Sequence, residues 1–247
     1  MQSLTRRRVL TMELMRGCKV DDRNAIEAQG LHPPKVAAFL LEVFAEMVFC
    51  HGHLHGDPHP GNILVNKVGE RGGFELVLLD HGLYRDLEER FRADFCRLWK
   101  ALILMDMPGV RAMGERLGAG PYHRFLPVLF TGRAPSSKGG LGQGMTAAEA
   151  QQLRGELKRF SLGDLSVIMG GLPKDLFIVM RTDSLLRQIL SKLGAPPRLR
   201  LITNAKYAVQ GLGVNNGQTH ASVGGWVART GARFTYLNLL LRLGEKG

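Results

Sequence analysis

Asp57, Asn62 and Asp80 carry the oxygen chemistry of this sequence. Asp57 and Asn62 lie in the run His55-Gly56-Asp57-Pro58-His59-Pro60-Gly61-Asn62, and Asp80 closes an apolar run in Leu78-Leu79-Asp80-His81-Gly82. A carboxylate, an amide and a second carboxylate are hard oxygen ligands. They suit a divalent ion such as Mg2+ that also takes phosphate oxygens and water. The chemistry open to such a set is phosphoryl transfer, with one carboxylate orienting the attacking group and the Asn–Asp pair on the metal.

Those side chains need elements to bring them together. Gly56 and Gly61 allow tight turning, and Pro58 and Pro60 stiffen the loop between them. Residues 63–65 read as a buried strand, 66–73 as a polar, Gly-rich turn, and 74–79 as the antiparallel return. Such a hairpin predicts Asp80 beside Asn62, at the same end of paired strands. The alternative is that Asp57 and Asp80 are turn residues capping local backbone. The strand–turn–strand between them separates the two readings.

The runs His-Gly-Asp-Pro-His-Pro-Gly-Asn-Ile-Leu-Val (55–65) and Leu-Leu-Asp-His-Gly-Leu-Tyr (78–84) resemble the aarF domain-containing, UbiB-like family of atypical kinases. The Asp-His-Gly form resembles one eukaryotic branch of it; related sequences more often carry Asp-Phe-Gly. The resemblance runs from Arg8 to about Gly213 and is most specific at the two quoted runs. It implies an α+β, mainly α fold: a protein-kinase-like large (C-terminal) lobe with a small β-hairpin at the active site, binding ATP and Mg2+. On that resemblance Asp57 is the base or orienting group and His59 supports the catalytic loop. Asn62 and Asp80 hold the metal and cofactor, and the backbone around Glu13 and Met15 is the hinge that meets the adenine. The resemblance further implies a mitochondrial setting connected with lipid or coenzyme Q metabolism, and ATPase or small-molecule kinase behaviour over protein phosphorylation.

Two departures from protein kinases point the same way. His59 stands where Ser/Thr kinases often place a Lys, and no Ala-Pro-Glu follows Gly82. Few residues precede Val9, so the Lys-x-Gly-Gln segment and Ala-rich loop of the family's small lobe are expected to be missing. The isolated chain is then expected to be inactive on its own. Two other function classes stay open: a small-molecule phosphotransferase of the aminoglycoside-kinase type, and a pseudokinase-like scaffold or adaptor.

With 247 residues, 45% of them hydrophobic, the chain can bury a substantial core. Its 33 Lys+Arg against 22 Asp+Glu give a net charge of +11, favouring a nucleotide, an anionic membrane surface or a lipid as partner. The basic residues are scattered and interleave with no aromatic platform, which speaks against nucleic acid. Cys18, Cys50 and Cys96 are far apart, without a C-x-x-C, and read as thiols of a reducing compartment.

In order, residues 1–17 read as the end of a small lobe and its hinge, with a strand over 9–14 and no targeting presequence. Residues 18–213 read as the large lobe and 214–247 as a basic amphipathic tail, too interrupted by Arg to span a membrane. A core helix is predicted over 33–50. His51, His53 and His55 alternate after it, open to reading as a metal trio or as loop residues, with His55 orienting the Asp57 loop. A helix is predicted almost immediately after Gly82, capped by Asp86. Residues 131–144 read as a loop whose Gly-rich end resembles no true phosphate loop, and 146–149 as a capping box. One or two helices are predicted over 172–193, a last core helix over 198–209, and a loop over 211–217.

Overall fold

The computed structural model describes residues 4–69, 73–133, 146–148, 151, 155 and 172–214. The predicted Gly-rich run 139–144, Glu149 of the capping box and residues 215–247 of the amphipathic tail lie outside these.

The stripe of Val36, Leu40, Leu41 and Phe44 buries one face of helix α2 (Pro33–Glu46) in the core. Pro33 and Pro34 occupy its first turn, where an absent N–H leaves no bond unmade. A short helix α1 (Arg23–Ala28), capped by the Asp22 carboxylate, precedes it. Past Glu46 the coil widens into a π-helical turn over Met47–His51, ended by Gly52 at φ 66°. A π-turn displaces backbone carbonyls from their ordinary partners. Here the buried Arg92 guanidinium donates to the Phe49 carbonyl and, at 3.1 Å, to that of Gly211. The Phe49 ring stacks on Phe95 at 5.5 Å and meets Trp99 edge-on at 6.0 Å.

Two small antiparallel sheets follow from the loops' ends. Strands β1 (Cys18–Lys19), β3 (Ile63–Val68) and β4 (Gly73–Leu78) form one, in the order β1-β3-β4; β2 (His53–His55) and β5 (Tyr84–Asp86) form the other. The predicted hairpin is present but longer. Its register runs from Ile63↔Leu78 to Val68↔Gly73, so residues 66–68 and 73, read as turn, are strand. Polar residues there simply face water, as half-buried strands allow; Asn66 and Glu75 pair across the strands at 2.8 Å.

Helices α3 (Glu89–Leu104), α4 (Met107–Arg116), α5 (Leu126–Thr131), α6 (Lys174–Lys192) and α7 (Pro197–Val214) complete the described core. The fold is mainly helical with small sheets, as the sequence predicts. Buried carboxylates tie the helices: Asp94 bonds Arg97 and Arg116, joining α3 to α4. Asp183 on α6 bonds Arg187 and, across to α7, Arg200. The stretch 172–193 holds a single helix, α6, with Pro173 as its N-cap residue and Leu193 as its C-cap.

Three local expectations are corrected. Residues 9–14 form no strand beyond a single bridge, Arg6↔Val9, because among the described residues no second strand lies beside them; Leu10, Met12 and Leu14 stay exposed. Asp86 is not a helix cap. It belongs to β5 and pairs with His53, and Glu88 takes the N-cap position of α3. Gly211 and Gly213 are not loop: α7 continues through them. At Gly211 glycine serves close approach, since a Cβ would lie 2.2 Å from the Phe49 carbonyl oxygen and 2.9 Å from Cys96 Sγ.

Gly211→Ala should therefore overpack the contact between α7 and the π-turn and lower stability by about 2–3 kcal/mol. A urea midpoint within error of wild type would contradict this packing. The cysteines are all free. Burial pushes the Cys50 thiol up to about 11 and the Cys96 thiol up to about 12, so neither is a thiolate near neutral pH. Iodoacetamide should label Cys18 first and reach Cys96 only on unfolding, as read by peptide mass mapping.

Candidate active site

Two loop segments, 56–62 and 79–83, are pinned to each other at both ends. At one end β2 pairs with β5 (His53↔Asp86, Leu54↔Arg85, His55↔Tyr84), and the Gly56 N–H continues the ladder to the Leu83 carbonyl at 2.8 Å. At the other, β3 pairs with β4, and the Leu79 N–H reaches the Asn62 carbonyl at 2.9 Å. The segment bearing Asp57 and Asn62 thus lies alongside the one bearing Asp80. His55 crosses between them. Its Nδ1 accepts the Asp57 N–H at 3.1 Å, and its Nε2 donates to the Asp80 carbonyl at 2.7 Å. Those partners assign the Nε2–H tautomer. The ring is 1% exposed and lies edge-on to Phe44.

Within this frame Asn62 donates its Nδ2 to the Asp57 carbonyl at 3.3 Å. That bond fixes the amide, and Oδ1 is left without a partner among the described residues. The Asp80 carboxylate accepts the Gly82 N–H on Oδ1 at 2.7 Å; its other oxygen has no partner among them. Two uncommitted oxygens, an amide and a carboxylate, fit a Mg2+ that arrives with phosphate and water ligands. Among the described residues no group of three or more His, Cys, Asp or Glu could hold a metal by itself.

The Asp57 carboxylate is partly buried, and Arg181 Nη2 on α6 lies 3.1 Å from its Oδ1. His59 is exposed. Its Nδ1 accepts the Gly61 N–H at 3.1 Å, capping the 3-10 turn Pro60–Asn62, and it makes no bond to the Asp57 carboxylate. Glu13 is exposed and Met15 half-buried; neither is hydrogen-bonded or ion-paired to the two loops among the described residues.

The three alternating histidines do not converge. His51 lies 3.4 Å from Glu46, His53 pairs with Asp86 at 2.6 Å, and His55 is the internal strut already described. His53 and His55, two residues apart on β2, share a face, but there both rings pack against Tyr84, stacked at 4.8 Å and edge-on at 5.1 Å, and Asp86, Asp57 and Asp80 take their hydrogen bonds. His81, where Phe is commoner, bonds the Tyr84 hydroxyl at 2.9 Å and the Leu78 carbonyl at 3.1 Å, its ring parallel to that of Tyr84. It closes the 78–84 segment on itself.

Sequence reasoning missed Arg181, β2, β5 and the His81–Tyr84 contact. Asp175, Ile178 and Arg181 do share a three-residue spacing, a signal only of a helix face. Replacing the buried His55 by Leu would remove the partner of the part-buried Asp57 N–H and Asp80 carbonyl, at about 2–4 kcal/mol for the pair. A loss of stability below about 1 kcal/mol on urea unfolding would show that His55 is not the strut.

Residues 1–114 match the ABC1 atypical kinase-like domain. The chain is 38% identical over 193 residues to AarF domain-containing protein kinase 1 of Mus musculus, covering 77% of this chain and 37% of that protein. It is 36% identical over 212 residues to the Probable serine/threonine-protein kinase abkB of Dictyostelium discoideum, covering 86% and 30%. With AarF domain-containing kinase 1 of Drosophila melanogaster the identity is 32% over 197 residues, covering 78% and 37%. The chain thus spans about a third of the length of these curated relatives. No solved structure matches it significantly. From the domain match and from identities sustained over three quarters of its residues, the chain belongs to the aarF domain-containing, ABC1-type family of atypical kinase-like proteins.

Proposed function

We propose that this chain is the nucleotide-handling large lobe of an atypical kinase or ATPase working on Mg·ATP. Asp57 orients the attacking hydroxyl or water. Asn62 Oδ1 and the free oxygen of Asp80 hold Mg2+, the Glu13–Met15 backbone supplies the hinge, and His59 keeps the loop in shape by capping its turn. A metal held there would supply positive charge to offset the negative charge that develops on the transferring phosphoryl group. The chain's own contribution is positioning: reacting groups held in register replace an encounter in solution.

The observation that carries this reading is the double pinning of the two loops, which leaves the Asn62 and Asp80 oxygens free in one neighbourhood. For the acceptor we propose a small molecule or water. Strand β5 follows Gly82 almost at once and leads straight to α3, leaving little chain between Gly82 and Glu89 on which a peptide could dock. The proposed setting is mitochondrial lipid or coenzyme Q related metabolism, from the family resemblance. The net charge of +11 suits contact with an anionic membrane surface. Among the described residues no helix is long and apolar enough to cross a membrane.

A Mg2+-dependent ATP titration of residues 1–247 tests the reading, with Asp80→Asn beside it. Saturable binding that weakens by about tenfold or more in the variant is the expected result. Equal affinity in both would remove Asp80 from the metal site. No binding by either would leave this lobe dependent on the remainder of a longer protein and favour the adaptor reading.

A further inference from the structure

Helix α6 lies beyond the residues that match the kinase-like domain, yet it touches the site at three successive points, one on strand β5 and two on the catalytic loop. Asp175, Ile178 and Arg181 lie along one helix face. The largely buried Asp175 carboxylate accepts Arg85 Nε of β5 at 2.6 Å. Ile178 packs on Gly56 so closely that a Cβ there would fall 2.7 Å from Ile178 Cδ1. Arg181 then reaches Asp57, with Nη2 3.1 Å from Oδ1. The contacts run in chain order along α6 and converge on the carboxylate that carries the proposed chemistry.

We propose that Arg181 is a positioning residue for Asp57, delivered by this three-point dock. The inference rests on the reading of Asp57 as the orienting carboxylate. His55 and Asn62 grip only the backbone of Asp57, which leaves its side-chain torsions unset. Among the described residues Arg181 is the one charged partner of that side chain. With side chains 43% and 34% exposed, the pair has little value as a stability device. Its effect lies in direction: a guanidinium on a packed helix holds a carboxylate in one orientation, whereas solvent leaves it free to turn. The inner face of the same turn supports that role. Asp183 is locked to Arg187 and Arg200, which keeps α6 from sliding and Arg181 from moving with it.

The test compares residues 1–247 as wild type, Arg181→Ala, Arg181→Lys and Asp57→Asn by amide hydrogen exchange, with ATP turnover as a second readout. Arg181→Ala should speed exchange at the amides of Asp57, His59, Gly61 and Asn62 by about tenfold while α3 is unchanged, since the opening is local. Arg181→Lys should restore part of the protection. The Arg181→Ala/Asp57→Asn double variant should loosen the loop no further than either single change, because both break one contact. In turnover, Arg181→Ala should lower kcat about tenfold or more with KM for ATP unchanged. Wild-type protection at 57–62 in Arg181→Ala overturns the proposal. Equal loosening of α3 also overturns it, by reducing Arg181 to a general structural part. A wild-type chain that neither binds nor turns over ATP overturns the functional reading alone; the exchange comparison still decides whether Arg181 holds Asp57.

Discussion

The site depends on one buried imidazole placed between two backbone segments. His55 holds the Asp57 N–H on one ring nitrogen and the Asp80 carbonyl on the other. The two loops therefore share a single rigid spacer in addition to the ladders at their ends. A buried polar group satisfied on both sides fixes geometry, because every alternative arrangement leaves a donor or acceptor unpaired in a low dielectric. No larger apolar side chain could do this, and a flexible amide would do it with less definition. The strut works only if β2 arrives in register with β5, and everything upstream of His53 bears on that register.

What delivers β2 is the π-turn at the end of α2. An α-helical ending would rotate Gly52 and the following strand relative to the core. The wider turn sets them against Leu87, whose N–H bonds the Gly52 carbonyl at 2.7 Å. The Phe49 carbonyl of that turn is answered by Arg92 of α3, and the same guanidinium reaches Gly211 of α7. The π-turn, α3 and α7 thus meet on one guanidinium. Core packing and site geometry are the same problem here, solved at Phe49, Arg92 and Gly211.

What the sequence made legible follows from how far each signal reaches. Residues 63–79 were readable because alternation and a Gly-rich turn act over a few positions, and so Asn62 and Asp80 could be brought together on paper. Helix α2 was readable from its apolar stripe. Strands β2 and β5 were not, being three residues each and rich in His, Tyr, Arg and Asp; their pairing is decided by what the neighbouring hairpin holds in place. Asp86 looked like a cap because Glu88 and Glu89 follow it, and a ladder outcompeted that local preference. Gly211 looked like a helix stop by residue type, yet glycine there answers a contact with Phe49 that no local pattern contains. Residues 9–14 have the composition of a strand, but a strand also needs a neighbour, and composition cannot supply one.

Arg181 is the furthest case, since nothing near it in sequence marks it as part of a site. Its place follows from a chain of constraints that begins in the core. Leu176, Val179, Leu186 and Ile189 bury the inner face of α6. Such apolar packing alone would tolerate a small slide along the helix axis. The Asp183–Arg200 pair does not, because displacing it strands a buried charge. Burial lowers the pKa of the Arg200 guanidinium, with Asp183 opposing that shift, so parting the two would leave the buried guanidinium without the charge that offsets its desolvation. Register at Asp183 sets the height of Ile178 against Gly56, and a side chain at Gly56 would break that fit. Arg181, between Ile178 and Asp183, has little freedom left except at its tip. An ion pair with minor energetic weight can then be geometrically well defined, because the core rather than the pair pays the entropy of ordering it.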